Sequence, residues 1–379
     1  MKTIIFIFLS FIKLLYSTKA ILLDTRLILS AYFNITLNET EIEIIFTTMN
    51  TLTDTKMIFT PFKNGTGEYS NKCYKSDKSK YQNKNGTIYV YNKEKIEGPI
   101  YKDNLSINGV KLNENEFIYM DFDACGAIFF DQQFLTYLKE KNYISNKIIS
   151  FGKINSTNQR MNITIGEKYD INNLLNYDIC NMKNGVYGCN LNQIVVSNTI
   201  EDFKKKNNIS IYNFDNITIT TEFFIGFTLE NTIFIPENIT SIIINFLEKN
   251  KFICKKHIFG YNCESNNSIL FFIFGNKGIK FNNISIWSSN EIENIYFCYQ
   301  TIPNLQIILD VEENKIIFHS DSNDILFDYK SSIFQKWYFW AIVIAIIIII
   351  IILCVAFYFY NSKKNNKKNN PELLEKLTT

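Results

Sequence analysis

The chain has 379 residues, a formal net charge of +2, 46% hydrophobic residues and only two histidines, His257 and His319. So even a charge balance provides no strong field to hold nucleic acid or acidic substrates. With two histidines and no close Cys-x-x-Cys pair, a zinc site is not expected, and neither is any other metal or cofactor. Met1 and Lys2 precede an apolar stretch from Ile4 to Leu15, interrupted by Ser10 and Lys13 and followed by small residues at Ser17, Thr18 and Ala20. A charged start, a short apolar core and small residues read as a secretory signal peptide over residues 1–20. The competing reading is a buried N-terminal strand; the stretch is short for a bilayer span.

Beyond it, Ile, Phe, Tyr, Thr and Asn dominate, a composition suited to strands and an all-β class. Ala31 to Leu37 and Glu41 to Phe46 read as a hairpin turning at Asn38 to Thr40. Thr87 to Tyr91 and Glu97 to Tyr101 read as a second, tipped by Asn92 to Lys95. Leu105 to Ile107 and Phe117 to Met120 continue the pattern. The spacing predicts a helix over Gln132 to Lys141, with Phe134, Leu135 and Leu138 on one face. Another is predicted over Asn238 to Leu247, after Pro236. The run Lys204-Lys205-Lys206 reads as a solvated loop.

Trp337 to Tyr360 is a run of 24 residues without a charge. As a helix it measures about 36 Å, enough for a hydrocarbon core of about 30 Å. Trp337, Tyr338 and Trp340 stand at one end and Phe357 to Tyr360 at the other, as interfacial belts. Lys363, Lys364, Lys367 and Lys368 follow, which places the C-terminus in the cytosol and predicts a single-pass type I topology. Ile346 to Ile352 is apolar on every face, unlike a buried core helix with a polar side. The basic tail, 361–379, is expected to be disordered from Asn361 to Asn370. Glu372-Leu373-Leu374 is a weak match to a dileucine sorting signal, and an unstructured end accounts for it as well.

Twelve Asn-x-Ser/Thr sequons lie between the two apolar segments, at Asn34, Asn38, Asn64, Asn85, Asn104, Asn155, Asn162, Asn208, Asn216, Asn238, Asn266 and Asn283. Their confinement to one side of the predicted span fits a glycoprotein. Seven cysteines lie there too: Cys73, Cys125, Cys180, Cys189, Cys254, Cys263 and Cys298. In an oxidising compartment disulfides are their default fate. Cys180 with Cys189, and Cys254 with Cys263, can close short loops; Cys73 with Cys125 is a further pairing, and an odd number leaves one free or intermolecular. Cys354, in the apolar run, is expected to be unpaired and is a candidate lipidation site.

A weak twofold pattern recurs: apolar strand, Thr-bearing turn, apolar strand, once near 42–61 and again near 222–236. With it, the order of segments resembles the pepsin-like aspartic proteases. Tyr32-Phe33, Ile35, Leu37 and Ile42 to Phe46 are similar to that family's first hairpin, which ends in Phe-Asp-Thr-Gly-Ser. Tyr91 stands before Gly98 as the flap tyrosine stands before its Thr-Gly. Gly98 to Val110 resembles the segment after the flap, Phe122 to Ile128 the Phe-Asp-Gly-Ile-Leu-Gly-Leu stretch, and Phe134 to Phe151 the helix and returning strand. Asn162 to Gly166 resembles the strand closing the first lobe. Phe224 to Pro236, Cys263 to Gly275 and Ile307 to Phe318 resemble the matching parts of the second lobe.

This resemblance implies a bilobal β fold, with lobes over 21–175 and 176–325, a juxtamembrane linker over 326–336 and a membrane helix over 337–360. It also implies an inter-lobe cleft for an extended peptide, contacted by Tyr91, Thr48 and Thr228. The family's chemistry needs two carboxylates that share a proton, one acting as base and one as acid. Here the two turns align as Thr47-Thr48-Met49 and Phe227-Thr228-Leu229, with Thr47 and Phe227 at the aspartate positions. Neither side chain holds a charge, and the turn glycines are absent too. Asp54-Thr55 offers another register for the first turn, but misplaces Ile42 to Phe46; Asp215 lies too far upstream to serve the second. There is little room for a prosegment before Ala31. The resemblance therefore implies a catalytically silent, peptide-binding ectodomain. The alternatives are an active membrane-anchored aspartic endopeptidase and an unrelated β-sandwich adhesion or receptor ectodomain.

Overall fold

The computed structural model describes residues 19–27, 31–37, 40–48, 52–53, 81–90, 94–118, 127–154, 160–183, 186–214, 220–224, 232–258, 260–290, 294–298, 304–329 and 337–368. Residues up to Tyr329 belong to one compact unit, and the C-terminal helix to a second. Strands dominate the first unit. Among the described residues its α-helices are α1 (Gln132–Glu140), α2 (Ile200–Lys205) and α3 (Glu237–Lys249); the second unit holds α4 (Trp337–Lys368).

Six antiparallel strands form the middle of the first unit, in the order Asn176–Asn181, Lys315–Ser320, Gln306–Asp310, Ile148–Phe151, Arg160–Ile165, Ile21–Leu27. Three come from before residue 175 and three from after it. In each trio the first strand in the chain lies outermost and pairs with the last, while the remaining strand lies at the centre. The seam joins Ile307 to Phe151 and Leu309 to Ile149. Arg160–Ile165 alternates buried and outward residues, as a sheet with one core face requires. Gln306–Asp310 and Lys315–Ser320 are instead buried on both faces. Ile307 and Leu309 enter the main core, whereas Ile308 and Ile317 pack with Ile148 beneath Tyr169 and Leu174. That second covering explains the continuous apolar runs Ile307-Ile308-Leu309 and Ile316-Ile317-Phe318.

The N-terminal half extends this sheet outward. Ala31–Leu37 pairs with Thr40–Thr47 as a hairpin and also with the end of Glu94–Ile107. Tyr81–Val90, Glu94–Ile107 and Val110–Ile118 follow as a meander. Leu105 to Ile107, read as a separate strand, is the end of a single 14-residue strand. The C-terminal half instead builds separate sheets of seven and five strands. The helices at 132 and 238 fall where the apolar spacing puts them. Phe134, Leu135 and Leu138 of α1 are buried, and Asp131 caps it by accepting from the Phe134 N–H at 2.8 Å.

Three sequence expectations need correction. Lys204 and Lys205 lie in α2 rather than a loop, with Lys206 as its left-handed C-cap, although all three are exposed. Phe203, buried on the opposite side, packs at 3.8 Å on Phe271 and holds the short helix down. Leu326–Asp328, expected to open the linker, is a strand paired with Lys277 to Ile279, because Leu326 and Phe327 are buried. Finally, α4 continues through Lys368 into the tail expected to be disordered. Extending an existing helix carries no nucleation cost, and lysines suit its C-terminal end. Within α4, Trp340–Tyr360 is long and apolar enough to cross a membrane.

Candidate functional site

The strands that precede the two turns singled out by sequence are each paired in parallel with a much later strand. Thr40–Thr47 leads into the first turn and runs parallel to Ala127–Phe129, with Thr47 opposite Phe129. Thr220–Phe224 leads toward the second and runs parallel to Ile295–Cys298. The chain then returns as Thr232–Pro236 on the other side of Ile295–Cys298, antiparallel to it. Two strands that are successive in sequence therefore flank a third that comes much later. Parallel pairing of this kind cannot be closed by a tight hairpin.

Thr48 is buried, and its hydroxyl has no hydrogen-bond partner among the described residues; the same holds for Thr221 and Thr232 on the strands flanking the second turn. For Thr47 only the backbone is described. Tyr91, Phe227 and Thr228 lie outside the described residues, as do Met49, Asp54 and Asp215.

Tyr187 joins the two arrangements. Its phenol donates to the Phe130 carbonyl at 2.9 Å, one residue beyond the strand that parallels Thr40–Thr47. Its own carbonyl accepts from the Phe223 N–H at 2.7 Å, inside the strand that approaches the second turn. The side chain is 2% exposed. Burial first, and the neighbouring Asp131 carboxylate second, push the phenol well above its ordinary range, so it stays protonated as a donor. Around this bridge, Phe130 stacks on Phe46 at 4.6 Å, and Phe223 contacts Phe274, Phe297 and Phe318 at 5.1 to 5.6 Å between ring centroids. The surroundings are apolar, and the nearby carboxylate of Asp131 is engaged as a helix cap. Sequence reading passed over Tyr187; its signal is an aromatic residue inside the short Cys180 to Cys189 loop.

Both short loops are closed. Cys180 bonds Cys189, fixing the segment that carries Tyr187, and Cys254 bonds Cys263 across the Ile253–His257 and Gly260–Glu264 hairpin. Cys73 and Cys125 lie outside the described residues. Cys298 ends the strand Ile295–Cys298, with only its backbone described. Cys354 is free and exposed. Of the sequons, Asn34, Asn85, Asn104, Asn162, Asn208, Asn238, Asn266 and Asn283 are described, and every one is exposed. Asn38, Asn64, Asn155 and Asn216 lie outside the described residues. Among the described residues no group of three or more His, Cys, Asp or Glu is placed to hold a metal ion.

No family model matches the chain, and no curated protein sequence matches it.

Proposed function

We propose that the chain is a single-pass type I membrane glycoprotein whose ectodomain has the bilobal pepsin-like architecture without its catalytic dyad, and binds an extended peptide or protein segment. The observation that carries this reading is the twofold strand order. Three strands from each half lie as six neighbours within one 13-stranded sheet with matching pairing, and each candidate turn follows a strand that runs parallel to a much later one. The pepsin-like architecture would place its dyad at turns that follow such strands. Here their sequences, Thr47-Thr48-Met49 and Phe227-Thr228-Leu229, hold no carboxylate. Without two acids sharing a proton, water at that position has no base, and binding is the capacity that remains.

Topology rests on the signal-peptide pattern, the Trp340–Tyr360 span and the lysines after it. Exposure of the eight described sequon asparagines supports glycosylation on the ectodomain side, and the two closed disulfides support an oxidising compartment.

The purified chain, incubated at acid pH with a broad peptide library, is expected to leave the peptides intact and to retain a subset of extended ones. Cleavage blocked by a pepsin-type transition-state inhibitor would overturn catalytic silence. Failure to retain any peptide from a folded sample would overturn the binding role.

A further inference from the structure

Because α4 continues without interruption to Lys368, the lysines after the apolar run occupy fixed positions on a helix rather than scattered places on a coil. Lys363, Lys364, Lys367 and Lys368 stand at i, i+1, i+4 and i+5. At 3.6 residues per turn these positions share an arc of about 140°. Asn361, Ser362, Asn365 and Asn366 take the other side. The four lysine positions span about 7.5 Å along the axis, starting about 4.5 Å beyond Tyr360. No Asp or Glu occurs between Asp328 and Glu372, so the cluster is uncompensated along the helix. The helix C-terminus contributes a partial negative charge of about half a unit, small against four lysines.

Resting on the reading of α4 as a membrane anchor, we propose that this lysine face is a binding site for a multiply phosphorylated lipid headgroup, of the polyphosphoinositide type, in the leaflet from which the helix emerges. Four positive charges attract singly charged lipids however they are arranged, through the surface potential alone. Concentrating them within one arc and one and a half turns matters only to a ligand that presents several anionic groups close together. Lysine suits that ligand, because its ammonium meets phosphate as a point charge without a fixed fork geometry. The start of the cluster, less than one turn beyond the interfacial Tyr360, sets it at headgroup depth.

The test uses the full chain in neutral detergent, titrated with phosphatidylinositol bisphosphate or with phosphatidylserine, counting retained lipid by native mass spectrometry. A permuted variant, K364N/N365K/N366K/K367N, keeps composition and charge but spreads its lysines around the helix. Wild type is expected to retain the bisphosphate lipid about tenfold better than the serine lipid, and the permuted chain to lose about fivefold of that retention. Equal retention by wild type and permuted chain, or of the two lipids by wild type, overturns the site. The anchor is tested apart, by alkaline washing of vesicles carrying the chain. Release there sinks the anchor reading, whereas the detergent titration reports on the lysine face alone.

Discussion

The two halves of the first unit contribute the same three-strand unit to the central sheet and then diverge. The N-terminal half continues that sheet through its hairpins, so that Ala31–Leu37 links the centre to the meander ending at Val110–Ile118. The C-terminal half leaves it, and forms separate seven- and five-stranded sheets. The described disulfides both fall in this second half. Among the described residues, one half is joined through a single hydrogen-bonded sheet with register irregularities near Asn85 and Leu105, and the other through several sheets and two disulfide-closed loops. A single main core nevertheless runs through both, from Phe33 and Phe46 to Phe297 and Phe318. Shared strands and a shared core allow halves of different construction to behave as one body.

That comparison breaks most directly at its aromatic centres. Phe46, packed among Phe33, Phe130 and Phe151, and Phe297, packed among Phe223, Phe272, Phe274 and Phe281, are both fully buried. Phe46→Ala and Phe297→Ala should each cost about 3–5 kcal/mol, from lost burial and the cavity left behind. Followed by fluorescence and far-UV circular dichroism in urea, both variants should shift one common transition. Two separated transitions would mean that the halves unfold independently.

A smaller effect is expected at the junction. Tyr187→Phe keeps the packing but leaves the Phe130 carbonyl without its donor, a loss of about 1–2 kcal/mol. If the bridge also sets the spacing of the two turns, the variant should weaken peptide retention more than an equally destabilising change far from them. An unchanged retention profile would confine Tyr187 to stability.

The smallest effect depends on pH. His319 lies on Lys315–Ser320, near the seam, with Nε2 3.2 Å from Asp321 Oδ1. Burial lowers its pKa; Asp321 opposes that shift, and Lys153 adds to it. The unfolded chain thus takes up a proton more readily than the folded one. The resulting stabilisation is present above the ordinary histidine pKa of about 6.5 and is lost as the pH falls below it, towards the folded value. His319→Gln should flatten the stability profile in that window while leaving neutral pH nearly unchanged, as read from melting temperature against pH. A variant that tracks wild type through the window would show that the histidine does not contribute.

What the sequence by itself determined is local. Period-two alternation located the Ala31–Leu37 and Thr40–Thr47 hairpin, i, i+3, i+4 spacing located α1 and α3, and an uninterrupted apolar run located α4. Each is set by near neighbours in the chain. Cysteines nine residues apart made the two loop closures available, though spacing alone could not exclude other pairings. Tertiary structure decided the rest. The partnership of Thr40–Thr47 with Ala127–Phe129 spans 82 residues and that of Thr220–Phe224 with Ile295–Cys298 spans 74, and neither leaves a trace in local periodicity. The double burial of Ile308 and Ile317 depends on Tyr169 and Leu174, which cover the sheet's second face. The α2 turn is held by Phe203 on Phe271, and the bridge by Tyr187 depends on Phe130 and Phe223, residues that only the folded sheets bring within hydrogen-bonding distance. Short-range pattern is written into neighbouring side chains, whereas the pairing of distant strands follows from which arrangement buries the most apolar surface for the chain as a whole.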